Sequence, residues 1–354
     1  MSERQHVLLP ELRILDATPE AELGEPAILL VAQAAYHLEE LIPLFLSLQE
    51  RGKQVLLTTP VPTKKVLQRW RATNLRHEEL LRFFGSSQKS IVTEKQLSGA
   101  TALVVLNDWG TTAPLVRMKK NQGRPTFAWV EGVQDFDDVD TGRKRYPYQS
   151  VDHVFCLGKF DFESIKGPHR VVVGSERLFR LWHQEPSPVQ GDRLLINLNF
   201  TYGVGTSSRY EWLQSVQRAA TESGWKFEIS QHVADRSFVV PWLRSSRTSS
   251  EALNTAPLFI TRFSTLGYEA LVRGVPMIYH NPHGERVSTF ADPNGAFRKT
   301  TSTEALIEVL KEPLASRVAV RANAKSFLSK HIQIESSASP ADLASDYLCS
   351  VLAT

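Results

Sequence analysis

Cysteine is nearly missing from this chain: Cys156 and Cys349 are the two in 354 residues. Two thiols cannot build a disulfide framework or a four-cysteine zinc site, so they read as reduced, mostly buried thiols of a cytoplasmic protein. No apolar run approaches the ~20 residues of a membrane span. The start, MSERQHVLLPELRILDATPE, is acidic and interrupted by prolines, unlike a secretory signal. A strong charge of either sign is lacking too. The formal net charge of +3 is too mild to predict a nucleic-acid partner without a basic, aromatic-bearing stripe. With 42% hydrophobic and 22% charged residues, a disordered or fibrous chain is excluded.

What is present is a βα rhythm, heard twice. AILLVAQA (Ala27–Ala34) is a continuous apolar run of the buried parallel-strand kind. Leu38, Leu41, Leu44, Phe45 and Leu48 then recur at helical spacing up to Gly52, and KQVLLTTP (Lys53–Pro60) is the next strand. TALVVLND, PTFAWVEG, SVDHVFCLG and HRVVVGS continue the series. HQEPSPVQGD (His183–Asp192) reads as a linker. After it come the strands RLLINLNF, WKFEISQH, APLFITRF and PMIYHNP, with helices over Ser208–Gly224, Leu266–Gly274 and Thr301–Lys311. The expected fold class is α/β, with two facing Rossmann-like domains and a ligand cleft between them at the strand ends. The expected boundaries are 1–185, 186–335, and a C-terminal helix in 336–354 that packs back on the first domain.

The stretch TRFSTLGYEALVRGVPMIY (Thr261–Tyr279) concentrates the chemistry. A buried strand ends in Ser264 and Thr265, and a helix begins at once. Free amides of a helix start, with two hydroxyls, suit an anion. Glu269 lies four residues beyond Thr265, on the same helix face. The plainer reading makes Ser264 an N-cap and Glu269 a solvated carboxylate.

This order, Ser-Thr, then Glu, then Gly-x-Pro and a strand, resembles the C-terminal half of GT-B glycosyltransferases. It looks most like the branch with CDP-glycerol glycerophosphotransferases, bacterial sialyl- and polysialyltransferases and capsule Kdo transferases. The resemblance implies that Ser264 and Thr265 hold the donor phosphate and that Glu269 meets the nucleotide ribose. His232 stands where the family has His-Pro and implies a donor contact, although Val233 replaces the proline. TFAWVEGVQDFDDVD ends its strand in Glu131-Gly132, at the place of the family's general base. Val130 occupies the first acidic position, so Glu131 is the candidate base and Asp135 the reserve. A structural carboxylate capping the turn is the alternative for Glu131.

Gly203 and Gly205 in NLNFTYGVGTSSR let the backbone approach a ligand, and Thr206 and Ser207 can donate to a pyrophosphate. The loop after Tyr279 faces the donor sugar in GT-B enzymes, which makes His280, His283 and Glu285 candidate contacts. Arg262 is placed to offset phosphate charge. Each of these also reads singly as a solvated loop residue. The Asp138-Val-Asp140 string is not taken as a metal site, and no metal ligand is assigned. Basic residues with Trp70 in Thr63–Gly85 suit either an anionic membrane surface or an ordinary solvated helix.

The implied function is transfer of a sugar, or glycerophosphate, from a nucleotide-activated donor to a hydroxyl of a surface-polysaccharide or glycolipid acceptor. Capsule or lipopolysaccharide assembly is the implied setting. The resemblance implies no metal and no cofactor, a CMP- or CDP-linked donor as substrate, and no nucleic acid. The expected location is cytoplasmic, extending to the inner membrane face. A sugar-nucleotide epimerase of the same shape and a non-catalytic nucleotide-binding remnant are the rival readings.

Overall fold

The computed structural model describes residues 12–14, 27–60, 92–134, 143–200, 206–232, 235 and 237–353. The chain divides into two compact units. The first comprises Met1–Glu131, Tyr146–Arg177 and Ser336–Thr354, and the second Gly132–Arg145 and Leu178–Glu335.

The first unit is built on β1 (Leu12–Ile14), β2 (Ile28–Val31), β3 (Val55–Pro60), β4 (Ala102–Val105), β5 (Thr126–Trp129), β6 (His153–Cys156) and β7 (His169–Val172). They lie in the order β1-β3-β2-β4-β5-β6-β7. All pairs are parallel except β1 with β3, which is antiparallel at the edge. The central strands read ILLV, ALVV and TFAW and are buried throughout. That is why they are runs rather than alternations: both faces of a parallel sheet are covered.

The helix Leu38–Glu50 buries Leu41, Leu44, Phe45 and Leu48, the stripe expected from its spacing. The C-terminal helix Pro340–Leu352 is capped by Ser339, whose hydroxyl accepts the Asp342 N–H at 3.1 Å. It packs on Leu38–Glu50. There Ser47 donates to Asp342 at 2.7 Å, and Arg51 pairs with Asp342 and Asp346 at 3.2 and 2.8 Å.

The second unit holds β8 (Arg193–Leu198), β9 (Lys226–Gln231), β10 (Phe259–Thr261), β11 (Met277–His280) and β12 (Arg298–Thr300), all parallel, in the order β12-β11-β10-β8-β9. Its core gathers Leu194, Ile196, Ile229, Ile260 and Ile278 from the sheet with Trp212 and Val216 from the helix Arg209–Glu222.

The division departs from the expected break at 185/186. The chain crosses at Arg177/Leu178, and the proline-bearing stretch after it belongs to the second unit. Arg321, on the helix Arg317–His331, anchors it by donating to the carbonyls of Trp182 and Gln184 and by resting its guanidinium 4.4 Å from the Trp182 ring centroid. Among the described residues no helix is long and apolar enough to cross a membrane. The basic Thr63–Gly85 segment lies outside the described residues.

Gly274 ends the helix Leu266–Val272 with φ +74°, and a Cβ there would lie 2.2 Å from the Arg317 carbonyl oxygen. Arg317 cannot yield easily, since its guanidinium donates to the Asn254 and Ala256 carbonyls at 2.9 Å each. Gly274→Ala is therefore expected to lower the unfolding free energy by more than ~2 kcal/mol, combining backbone strain with a clash. Gly224→Ala is the control. It shares a positive φ of +72° but has open space, and should cost about 1–2 kcal/mol. Urea midpoints of the two variants check both; equal costs would contradict the clash.

Candidate active site

In the first unit, neighbouring strands β2, β4 and β5 release their loops at one sheet end. This is the carboxyl end, where open α/β sheets present ligand-contacting groups. Glu131 follows β5, Asn107 follows β4, and Gln33, Tyr36 and His37 follow β2. These side chains meet. The Glu131 Oε2 atom accepts from Tyr36 Oη at 3.1 Å and from Asn107 Nδ2 at 3.4 Å. It lies 3.0 Å from His37 Nε2.

The Gln33 backbone N–H donates to His37 Nδ1 at 3.1 Å. That bond places the proton of the neutral ring on Nε2, which donates to Glu131. His37 is buried, with 1% of its side chain exposed, whereas 22% of the Glu131 side chain remains open. Each of these side-chain bonds reaches Oε2, and among the described residues none reaches Oε1. From below, the Glu131 backbone N–H donates to Tyr148 Oη at 3.3 Å.

Sequence reasoning named Glu131 and did not name His37, Tyr36 or Asn107, which the structure brings to it. The signal was there: they are polar or aromatic residues directly after the apolar runs of adjacent parallel strands. Asp135 lies outside the described residues.

In the second unit, Ser264 and Thr265 sit half-exposed between β10 and the helix Leu266–Val272. The free amides expected at that helix start are not found. Leu266 N–H donates to Ser264 Oγ at 3.2 Å, Gly267 N–H to the Ser264 carbonyl at 2.9 Å and Tyr268 N–H to the Thr265 carbonyl at 3.0 Å. A tight three-residue turn uses them up. The hydroxyl protons of Ser264 and Thr265 are what this turn offers an anion.

Thr265 Oγ1 also accepts the Val133 N–H at 3.1 Å. Gly132 passes so close that a Cβ would stand 1.9 Å from the same oxygen. Glycine is needed there because side-chain rotation cannot remove the Thr265 Cβ, 2.9 Å from the same point.

Three residues expected at the donor serve the interior instead. Glu269 is fully buried and bound by Arg273 Nε and Nη2, both at 2.9 Å, and by Ser250 Oγ at 2.5 Å. Arg262 is buried too: it pairs with Glu285, donates to the Asn199 carbonyl at 3.1 Å and stacks 4.3 Å from the Phe200 ring centroid. His280 is enclosed, with Nδ1 2.9 Å from Thr300 Oγ1 and Nε2 2.9 Å from Ser215 Oγ. The physical reason is common to all three. Polar groups on buried strands and helices must be paired internally.

His283 and Ser207 are exposed, as is His232 at the end of β9, where its N–H donates to the Leu198 carbonyl at 3.0 Å. Gly203 and Gly205 lie outside the described residues, and nothing is described of the Thr206 side chain. The second unit also has a groove of about 520 Å³ lined by Ser237, Phe238, Val239, Pro241, Arg244 and two further serines.

No family model matches the sequence, and no curated protein matches it. Solved structures do match. The S. aureus MnaA–UDP co-structure aligns with TM-score 0.57 and 12% identity over 93% of this chain and 97% of that one. The spinosyn forosaminyltransferase SpnP aligns with TM-score 0.53 and 12% identity over 94% and 100%. A variant of the wall teichoic acid polymerase TagF gives 0.53 and 10% over 93% and 88%. UDP-GlcNAc 2-epimerases also match. The chain has the GT-B fold. At these identities the likeness extends to architecture and does not single out the glycerophosphotransferase branch.

Within this GT-B chain, burial drives the His280 pKa down to about 4, helped by the nearby charge of His283. The folded ring therefore stays neutral between pH 6.5 and 4 while the unfolded ring takes a proton. Stability from this group is full above pH 6.5 and is lost as pH falls towards 4, by ~1–3 kcal/mol. His280→Gln should flatten that part of the stability–pH curve, measured by urea unfolding at pH 7 and pH 4.5. A curve parallel to wild type would refute the assignment.

Proposed function

We propose that this chain is a nucleotide-sugar-dependent glycosyltransferase in which Glu131 is the general base. The observation that carries the reading is the set of donors on Glu131 Oε2: among the described residues His37, Tyr36 and Asn107 hold the carboxylate through that oxygen, and none binds Oε1. A fixed, half-open carboxylate at the carboxyl end of a parallel sheet suits removal of a hydroxyl proton. The acceptor O–H proton passes to Oε1. The acceptor oxygen forms a bond to the donor's anomeric carbon as the bond to the leaving nucleotide phosphate breaks; with a CDP-linked alcohol it bonds instead to the phosphorus bearing the alcohol, and the bond from that phosphorus to the departing CMP breaks. His37 is a positioning residue, its tautomer set by the Gln33 amide.

In the second unit, Ser264 and Thr265 donate to the donor phosphate, with His232 as a further contact. The 520 Å³ groove of the same unit has room for a nucleoside. Glu269, Arg262 and His280 have no direct part in this reading. The donor is a nucleotide sugar or a CDP-linked alcohol, and the acceptor a hydroxyl of a saccharide or glycolipid. Capsule or lipopolysaccharide assembly and contact with the inner membrane face remain part of the proposal through the sequence resemblance. Stabilisation of the leaving phosphate rests on hydroxyl donors, without assigning a metal.

Epimerisation of a UDP-sugar is the second reading. The shared fold of UDP-GlcNAc 2-epimerases favours it, together with a carboxylate–imidazole pair able to move a proton at carbon.

The test has two stages. Thermal stabilisation by CMP, CDP, UDP, GDP or TDP identifies the donor, since saturation at 100 times Kd adds about 2.7 kcal/mol. Turnover is then followed with the matching sugar nucleotides, with and without acceptors. Glu131→Gln is expected to cut transfer by roughly 10²–10⁴-fold, and His37→Gln by a smaller factor, with nucleotide stabilisation unchanged in both. Unchanged transfer by Glu131→Gln would remove it as base. Free epimer formed without acceptor would replace the transferase by the epimerase.

A further inference from the structure

Two large aromatic side chains stand at the Glu131 end of the first sheet and are only half covered. Tyr36 is 48% exposed and Trp109 44% exposed. Neither is loosely held. The Tyr36 hydroxyl donates to Glu131 Oε2, and its ring meets His37 edge-on at 4.6 Å. The Trp109 carbonyl accepts from Thr112 Oγ1 at 2.9 Å and from Gln33 Nε2 at 3.3 Å. Its ring lies 5.6 Å from that of Tyr148.

Tyr148 is itself a special residue. It is fully buried, adopts a left-handed backbone with φ 62°, and accepts the Glu131 backbone N–H. A non-glycine residue rarely keeps that conformation unless its surroundings enforce it. The sequence of contacts therefore runs from Trp109 through Tyr148 to Glu131 and on to Tyr36. Exposed aromatic rings held this firmly carry little ordering cost when a ligand lands on them.

Tyr36 touches a carboxylate, that of Glu131, and Asp108 precedes Trp109 with its Oδ2 accepting the Ser150 N–H at 2.7 Å. Among the described residues, the donors bound to the Glu131 carboxylate are a phenol, an imidazole and an amide. A phosphate brought here would meet carboxylates of its own sign. A neutral pyranose would not. Its apolar C–H face suits an aromatic ring, and its hydroxyls suit Gln33, Asn107 and Oε1 of Glu131.

We infer that Trp109 and Tyr36 form a platform for a neutral sugar ring, so that the hydroxyl offered to Glu131 belongs to a saccharide rather than to a phosphate-bearing alcohol. The inference rests on Glu131 as base and deepens that reading by naming the acceptor class.

Saturation-transfer NMR on the full chain tests it, with chitobiose, cellobiose, lactose and sn-glycerol 3-phosphate as probes. At least one disaccharide is expected to bind, with saturation strongest on ring C–H protons, while glycerol 3-phosphate shows none. Trp109→Ala should weaken the disaccharide at least tenfold, and Trp109→Phe by less than threefold. Nucleotide-induced thermal stabilisation, unchanged in both variants, reports that they are folded. Binding of glycerol 3-phosphate alone, binding of no disaccharide, or an affinity indifferent to Trp109→Ala overturns the platform. Where nucleotide stabilisation persists in those cases, the platform falls and the enzyme reading stands. Where nucleotides also fail to stabilise wild type, the enzyme reading falls as well.

Discussion

The bond between His37 Nε2 and Glu131 Oε2 at 3.0 Å organises the candidate site, and it depends on the sheet beneath it. His37 is oriented by an amide of Gln33, just past β2, while Glu131 stands just past β5. The two meet because β4 alone separates those strands and all three run parallel. A one-residue slip in any of these registers would turn a loop-end side chain to the other face. The continuous burial of ILLV, ALVV and TFAW thus stabilises the first unit and also fixes where a carboxylate, an imidazole and an amide converge.

The second unit handles polarity differently. Its charged and imidazole groups near the sheet, Arg262, Glu269 and His280, are enclosed and matched with Glu285, Arg273 and the hydroxyls of Thr300 and Ser215. Buried ions are tolerated only when paired, and removing one partner is far costlier than the pair is worth. Such groups stiffen the scaffold and are spent before a ligand arrives. Ser264 and Thr265, by contrast, remain half-exposed, with hydroxyls at the turn before the helix Leu266–Val272.

The architecture was legible because parallel strands advertise themselves as short apolar runs, and helices such as Leu38–Glu50 show their stripe. The helix Arg317–His331 was not. Its buried face includes Val320, Ala324, Phe327 and Leu328 among Lys, Arg and Asn, and alanine carries little hydrophobic signal. β12, Arg298–Thr300, shows two exposed residues of three, so no run or alternation marks it. Glu131 was singled out by its place between an apolar strand and a glycine. His37 escaped because its burial and its partner are set by contacts across 94 positions of sequence. The reading of Glu269 went wrong for the same reason. Helical spacing places a residue on a face, but only packing decides whether that face meets solvent or Arg273.

Tyr148 links the two ends of this site. Its hydroxyl accepts from the Glu131 backbone while its ring supports Trp109. It does so from a left-handed conformation that costs on the order of 1–3 kcal/mol. A sequence relieved of that strain would gain stability and lose the link between the carboxylate's backbone and the exposed indole. Local strain of this size persists only where surrounding contacts over-determine it. Here those contacts end at the carboxylate to which the proposed reaction gives its proton. The left-handed Tyr148 backbone and the bonds that hold Glu131 Oε2 therefore belong to one arrangement at the sheet end.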